Sequence, residues 1–122
     1  MIQILVVEDN EFNLELVTDL LEAGGYSVIS ARDAPTGIKM AKENSPSLIL
    51  MDVSLPGMDG LEATRLLRKD PNTASIPIVV VTAHAMKGDE ELARESGCSG
   101  YMSKPIDTRN FVSQVQAYLD GV

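Results

Sequence analysis

The chain has one cysteine, Cys98, and one histidine, His84, among its 122 residues. A single cysteine excludes an internal disulfide and fits a reducing compartment. Cys98 therefore reads as a small buried or half-buried packing residue. A single histidine with no nucleophile spaced to accompany it leaves a catalytic triad unsupported, and His84, two residues after Thr82, reads as a loop residue at the rim. Cations are also scarce: ten Lys and Arg against eighteen Asp and Glu give a formal charge of −8. Nucleic-acid binders need clustered Lys and Arg to displace counterions, so no nucleic-acid partner is expected. No apolar run approaches the length of a membrane span, and no basic stretch followed by an apolar segment opens the chain. The expectation is a cytoplasmic protein with no membrane partner. Neither a Gly-x-Gly-x-x-Gly after the first strand nor a Gly-Lys-Ser/Thr loop is present, which removes the dinucleotide and P-loop readings. There is no low-complexity segment and no linker. With 44% hydrophobic and 23% charged residues, the chain reads as a single globular domain over 1–122.

What the sequence does have is a repeated ending. Ile4-Leu5-Val6-Val7 runs into Glu8 and Asp9, Leu48-Ile49-Leu50-Met51 into Asp52, and Ile78-Val79-Val80-Val81 into Thr82. A fourth segment, Gly100-Tyr101-Met102-Ser103, runs into Lys104 and Pro105. Apolar runs of this length with β-branched members are strands buried on both faces, the mark of a parallel sheet covered by helices. Helical stretches alternate with them. Leu14, Val17, Leu20 and Leu21 sit at helical spacing before Gly24-Gly25, and Tyr26 to Ala31 reads as a strand. Asp33 caps a helix with Pro35 in its first turn. The third strand spans 47–52, and Leu55 to Gly60 leads into a helix carrying Leu61, Leu66 and Leu67. A fourth helix, about 88–97, has little beyond Leu92 and Ala93 to bury and should be among the least stable parts. The last helix starts at Asp107 or Thr108, with Phe111, Val112, Val115, Tyr118 and Leu119 on one stripe. Five β-α units with right-handed crossovers give an α/β fold: a doubly wound, five-stranded parallel sheet of order 2-1-3-4-5, flavodoxin-like.

In that order the first and third strands are neighbours, and Glu8, Asp9 and Asp52 share one crevice. Two ionised carboxylates about 4 Å apart repel by roughly 4 kcal/mol at an effective dielectric near 20, so three together call for a cation or a proton. Mg²⁺, with its preference for oxygen ligands, answers that need. A carboxylate beside such an ion can act as a nucleophile on phosphorus. Charge then spreads over three phosphoryl oxygens, where the Lys104 ammonium and the Thr82 hydroxyl are placed to help. The plain alternative for the acidic residues is that they cap the helices that follow.

Val7-Glu8-Asp9-Asn10, Leu50-Met51-Asp52 with Leu55-Pro56-Gly57-Met58-Asp59-Gly60, Val81-Thr82-Ala83 and Lys104-Pro105 together resemble the receiver domain of two-component response regulators. The resemblance covers the whole chain. It implies that Asp52 accepts a phosphoryl group from a histidine kinase or histidine phosphotransfer protein. It implies also that Glu8, Asp9, Asp52 and the backbone carbonyl of Ser54 hold Mg²⁺. Thr82, the amide of Ala83 and Lys104 would contact phosphoryl oxygens, Tyr101 would be the aromatic switch, and Lys104-Pro105 would be a cis peptide. A downstream protein would dock on the fourth helix, fifth strand and fifth helix. Such a protein is a signalling phosphoacceptor that assists its own phosphorylation and dephosphorylation, not an enzyme with a separate substrate. The length is similar to that of single-domain regulators of the chemotaxis or cell-division type, and a receiver from a hybrid kinase fits it too. Glu8-Asp9-Asn10 with Asn13, and Ala85 to Glu90, are similar to the cell-division type. Two other classes fit less well. An aspartate-nucleophile phosphatase wants a second Asp where Ser54 stands, and a receiver-like module that is never phosphorylated should have lost an acidic residue, Thr82 or Lys104.

Overall fold

The computed structural model describes residues 1–83 and 87–121, without the side chains of 87–89. The readings made for His84, Ala85 and Met86 lie outside the described residues. Strands and helices alternate throughout: β1 Gln3–Val7, α1 Glu11–Ala23, β2 Ser27–Ala31, α2 Ala34–Asn44, β3 Leu48–Asp52, α3 Gly60–Lys69, β4 Ile78–Thr82, α4 Lys87–Glu95, β5 Gly100–Ser103 and α5 Phe111–Leu119. All neighbouring strands pair in parallel, in the order β2-β1-β3-β4-β5. This is the expected flavodoxin-like arrangement.

The apolar runs become the sheet because each side of the pleat finds a helical cover. Ile4 and Val6 of β1, Leu48 and Leu50 of β3, and Val79 and Val81 of β4 pack with Val17 and Leu21 of α1 and Phe111 and Val115 of α5. Leu5, Val7, Ile49, Met51 and Ile78 pack on the other side with Ala34, Ala41, Ala63 and Leu67. Every residue of β3 and β4 is buried. Short polar side chains start the first three helices: Asn10, Asp33 and Asp59 accept from the backbone amides of Asn13, Thr36 and Glu62 at 3.0, 2.8 and 2.9 Å.

The boundaries depart from the sequence reading in four places. Tyr26 lies in the turn that follows α1, where its amide bonds the carbonyl of Leu21 at 3.0 Å, and β2 begins at Ser27. The third strand begins at Leu48 rather than 47. The fourth helix runs from Lys87 to Glu95, not 88–97, and Gly97 at φ +96° marks the turn beyond it. The last helix begins at Phe111, not at Asp107 or Thr108. The Asp107 carboxylate accepts from the amide of Arg109 at 3.1 Å, and its carbonyl accepts from Asn110 and Phe111. Asp107 therefore closes a separate turn ahead of the helix. Within α4, Ala93 is 1% exposed and Leu92 is 48% exposed, so the helix holds on through a narrow apolar contact.

Candidate functional site

The parallel register brings the strand ends to one edge. Val7 lies opposite Met51, so Glu8 and Asp52 follow as neighbours on adjacent strands. The pair Asp52 and Val81 places Thr82 one residue beyond Asp52, and Thr82 pairs with Ser103. Lys104 comes next, its amide bonded to the Thr82 carbonyl at 2.7 Å. The Lys104-Pro105 peptide is cis.

Glu8, Asp9 and Asp52 each direct a carboxylate oxygen into one cluster whose ligand atoms all lie within 4.8 Å of one another. Asp52 is 4% exposed and Glu8 5%, whereas Asp9 is open to solvent. The Lys104 ammonium reaches across to Glu8 Oε1 at 2.8 Å and Asp52 Oδ2 at 3.2 Å. The other carboxylate oxygens take weaker support from the chain. Glu8 Oε2 accepts from the Asn10 amide, and Asp52 Oδ1 from the Ser54 amide, both at 3.3 Å. Burial pushes the Glu8 carboxyl above its ordinary value, and the neighbouring Asp52 acts in the same direction. Burial alone would depress Lys104, but the bond to Glu8 and the charges of Asp52 and Glu8 outweigh it and hold the ammonium above its usual range. Lys104 thus stays charged at neutral pH.

One ammonium does not balance three carboxylates. The cluster keeps two excess negative charges in a largely buried crevice, and its donors are all oxygen. That is the donor set of a hard divalent cation. Of the remaining sequence-predicted residues, Thr82 is buried, Ala83 and Ser54 are exposed, and Tyr101 is half-buried on β5. A groove of about 380 Å³ opens beside the cluster, lined by Phe12, Asn13, Leu16, Ala83, Lys104, Pro105 and Ile106.

Two cations that the sequence reading passed over take part in the surroundings. Arg32, the first residue after β2, donates from its guanidinium to the backbone carbonyl of Asp9 at 3.3 Å. The rule of reactive strand ends, applied to the second strand as it was to the others, would have found it. Arg68 of α3 donates to the carbonyls of Ile76, Gly97 and Ala74 at 2.6, 2.8 and 3.2 Å and to Ser99 Oγ at 3.2 Å. It stitches the far end of the sheet, and nothing in its sequence context announced that.

Residues 4–116 match the family of the response regulator receiver domain. The chain belongs to that family, the phosphoryl-accepting modules of two-component signalling. It is similar to the polar-differentiation response regulator DivK of Brucella anthropi, with 47% identity over 116 residues that cover 95% of this chain and 94% of the relative. Its fold superposes on a putative response regulator from Chloroflexus aurantiacus with a TM-score of 0.92 at 28% identity, covering 97% of each chain. A receiver domain of the sensor histidine kinase PA1611 from Pseudomonas aeruginosa, solved with a magnesium ion coordinated in its active site cleft, matches with a TM-score of 0.88 at 32% identity, covering 98% of each chain.

Proposed function

We propose that Asp52 is the phosphoacceptor of this receiver. The observation that carries the reading is the placement of its carboxylate, buried beside the Glu8–Asp9 pair with the Lys104 ammonium 3.2 Å away. Glu8, Asp9, Asp52 and the carbonyl of Ser54 would hold Mg²⁺, whose contribution is to neutralise carboxylate and phosphoryl charge. The donor is a phosphohistidine of a histidine kinase or phosphotransfer protein. An Asp52 oxygen forms the new bond to phosphorus while the P–N bond breaks, and the departing imidazole nitrogen takes up a proton. Lys104 moves from the carboxylates to a phosphoryl oxygen, with Thr82 and the amide of Ala83 donating to the others. The same groups assist hydrolysis of the acyl phosphate, so the protein promotes both its phosphorylation and its reset. A cytoplasmic location suits this role, and the net charge of −8 argues against a nucleic-acid or anionic membrane partner.

The signal would leave through Thr82 and Tyr101. A phosphoryl group brings up to two negative charges and draws the Thr82 hydroxyl toward it. Tyr101 then reorients on β5, and α4, held by little apolar surface, shifts at low cost. A recess of about 240 Å³ beside Tyr101, lined by Glu90, Arg94, Cys98 and Tyr118 among others, supports docking of a downstream protein on α4, β5 and α5. Incubation with acetyl phosphate and Mg²⁺ followed by intact-mass measurement tests the assignment. The wild type gains one phosphoryl mass and Asp52→Asn gains none; full labelling of the variant would overturn it.

A further inference from the structure

Arg32 stands beside the acidic cluster without joining it in an ion pair. Its guanidinium is spent on a neutral group, the Asp9 carbonyl at 3.3 Å. Among the described residues it makes no salt bridge, although Asp9 belongs to the three-carboxylate cluster. The side chain is exposed at the end of β2, on the edge where β1 and β3 also finish. A neutral acceptor leaves the full positive charge of Arg32 acting on whatever enters the crevice. Its field opposes a metal cation and favours an anion.

We propose that Arg32 is a specificity-determining cation at the mouth of the site, biasing it toward anionic phosphoryl donors at the expense of affinity for the bare metal ion. The proposal rests on the phosphoacceptor reading of Asp52. The charge count explains its use. Three carboxylates against Lys104 alone would become neutral on taking up a divalent ion, and a phosphoryl dianion would then meet no net attraction. With Arg32 counted, the loaded site is net positive toward the donor. Arg32 also fixes the main chain of Asp9, a group whose carboxylate has no hydrogen-bond donor among the described residues, and that second effect pulls the other way on metal binding. The two roles separate by experiment because charge and anchoring predict opposite signs.

The test compares wild type, Arg32→Gln, which keeps a donor without the charge, and Arg32→Lys, which keeps the charge. Mg²⁺ affinity is read by calorimetry, and the rate of acyl-phosphate formation from acetyl phosphate at saturating Mg²⁺ by intact mass. Screened interactions of an exposed charge at the rim of a site change such constants by about two- to fivefold. Arg32→Gln should bind Mg²⁺ more tightly by that factor while labelling more slowly by a similar one. Arg32→Lys should label at close to the wild-type rate, and higher salt should narrow the difference between wild type and Arg32→Gln. Unchanged values in Arg32→Gln, a fall in both metal affinity and rate, or an Arg32→Lys protein that matches Arg32→Gln would overturn the proposal. A wild type that takes neither Mg²⁺ nor phosphoryl would instead overturn the reading of Asp52.

Discussion

Gly60→Ala tests how the first turn of α3 supports Asp52. A Cβ on Gly60 would lie 2.1 Å from the Asp52 carbonyl oxygen, 2.8 Å from its carbonyl carbon and 3.0 Å from Met51 Cγ. Favourable contacts begin near 3.5 Å, so the helix and the strand end must part by about 1.4 Å. The obstacle is backbone, and no side-chain rotation relieves it. The helix is also tethered, since the Gly60 amide bonds the Val53 carbonyl at 3.0 Å and the Gly60 carbonyl accepts from the Thr64 hydroxyl at 2.8 Å. Overpacking of this kind costs about 1–3 kcal/mol, and the rigid partner places Gly60→Ala toward the upper end of that range. With an unfolding entropy of about 2.1 cal/mol/K per residue, each kcal/mol lowers the melting temperature of a chain this long by about 4 °C. A fall of about 8–12 °C follows. Displacing the Asp52 main chain also disturbs its 3.2 Å contact with Lys104, so phosphoryl uptake should slow as well. Gly57→Ala is the control. Nothing lies within 4 Å of its Cβ, but its φ of +75° costs a side chain about 1 kcal/mol. It should melt about 4 °C low and label at the normal rate. Thermal melts by circular dichroism with parallel mass labelling decide the matter. A Gly60→Ala protein that melts within about 2 °C of wild type, a shift worth under 1 kcal/mol, would refute the reasoning.

Mg²⁺ at about ten times its dissociation constant should raise the melting temperature by about 5 °C through preferential binding to the folded crevice; Asp9→Ala should abolish the rise, and an unchanged wild-type melt would count against a metal site here. The Asp33 carboxyl is held below its usual range by the backbone and hydroxyl of Thr36. Its contribution is therefore complete above the ordinary aspartate pKa and is lost as pH falls through the lower folded value. Asp33→Asn keeps the cap but does not titrate, so its deficit relative to wild type should hold above the ordinary aspartate pKa of about 3.9 and narrow progressively as the pH falls below it; a gap independent of pH would contradict this. Arg68→Ala strips donors from three carbonyls and Ser99, which should cost about 2–3 kcal/mol and speed amide exchange at residues 97–100. Unaltered exchange there would show that the stitch is not needed.

The chain of local signals in this sequence determined a large part of the molecule. Ile78 to Val81 and Leu48 to Met51 read as strands with both faces covered, and Asn10, Asp33 and Asp59 start helices through bonds that span three residues. Those signals are short-range, so the element order and the strand-end positions of Glu8, Asp9, Asp52, Thr82 and Lys104 could be read without coordinates. Tertiary structure decided what those side chains touch. Lys104 rests on Glu8 and Asp52, 96 and 52 residues away, because the β1–β3–β4–β5 register sets its reach. Arg32 turns to a carbonyl rather than to one of the nearby carboxylates, and Arg68 bonds two loops at once. Asp107, one of the two residues at which the sequence starts the last helix, closes its own turn and delays α5 by a few residues. A long flexible side chain has many partners of similar energy in an unfolded chain. Which one it keeps depends on packing between segments distant in sequence, and no local pattern encodes that choice.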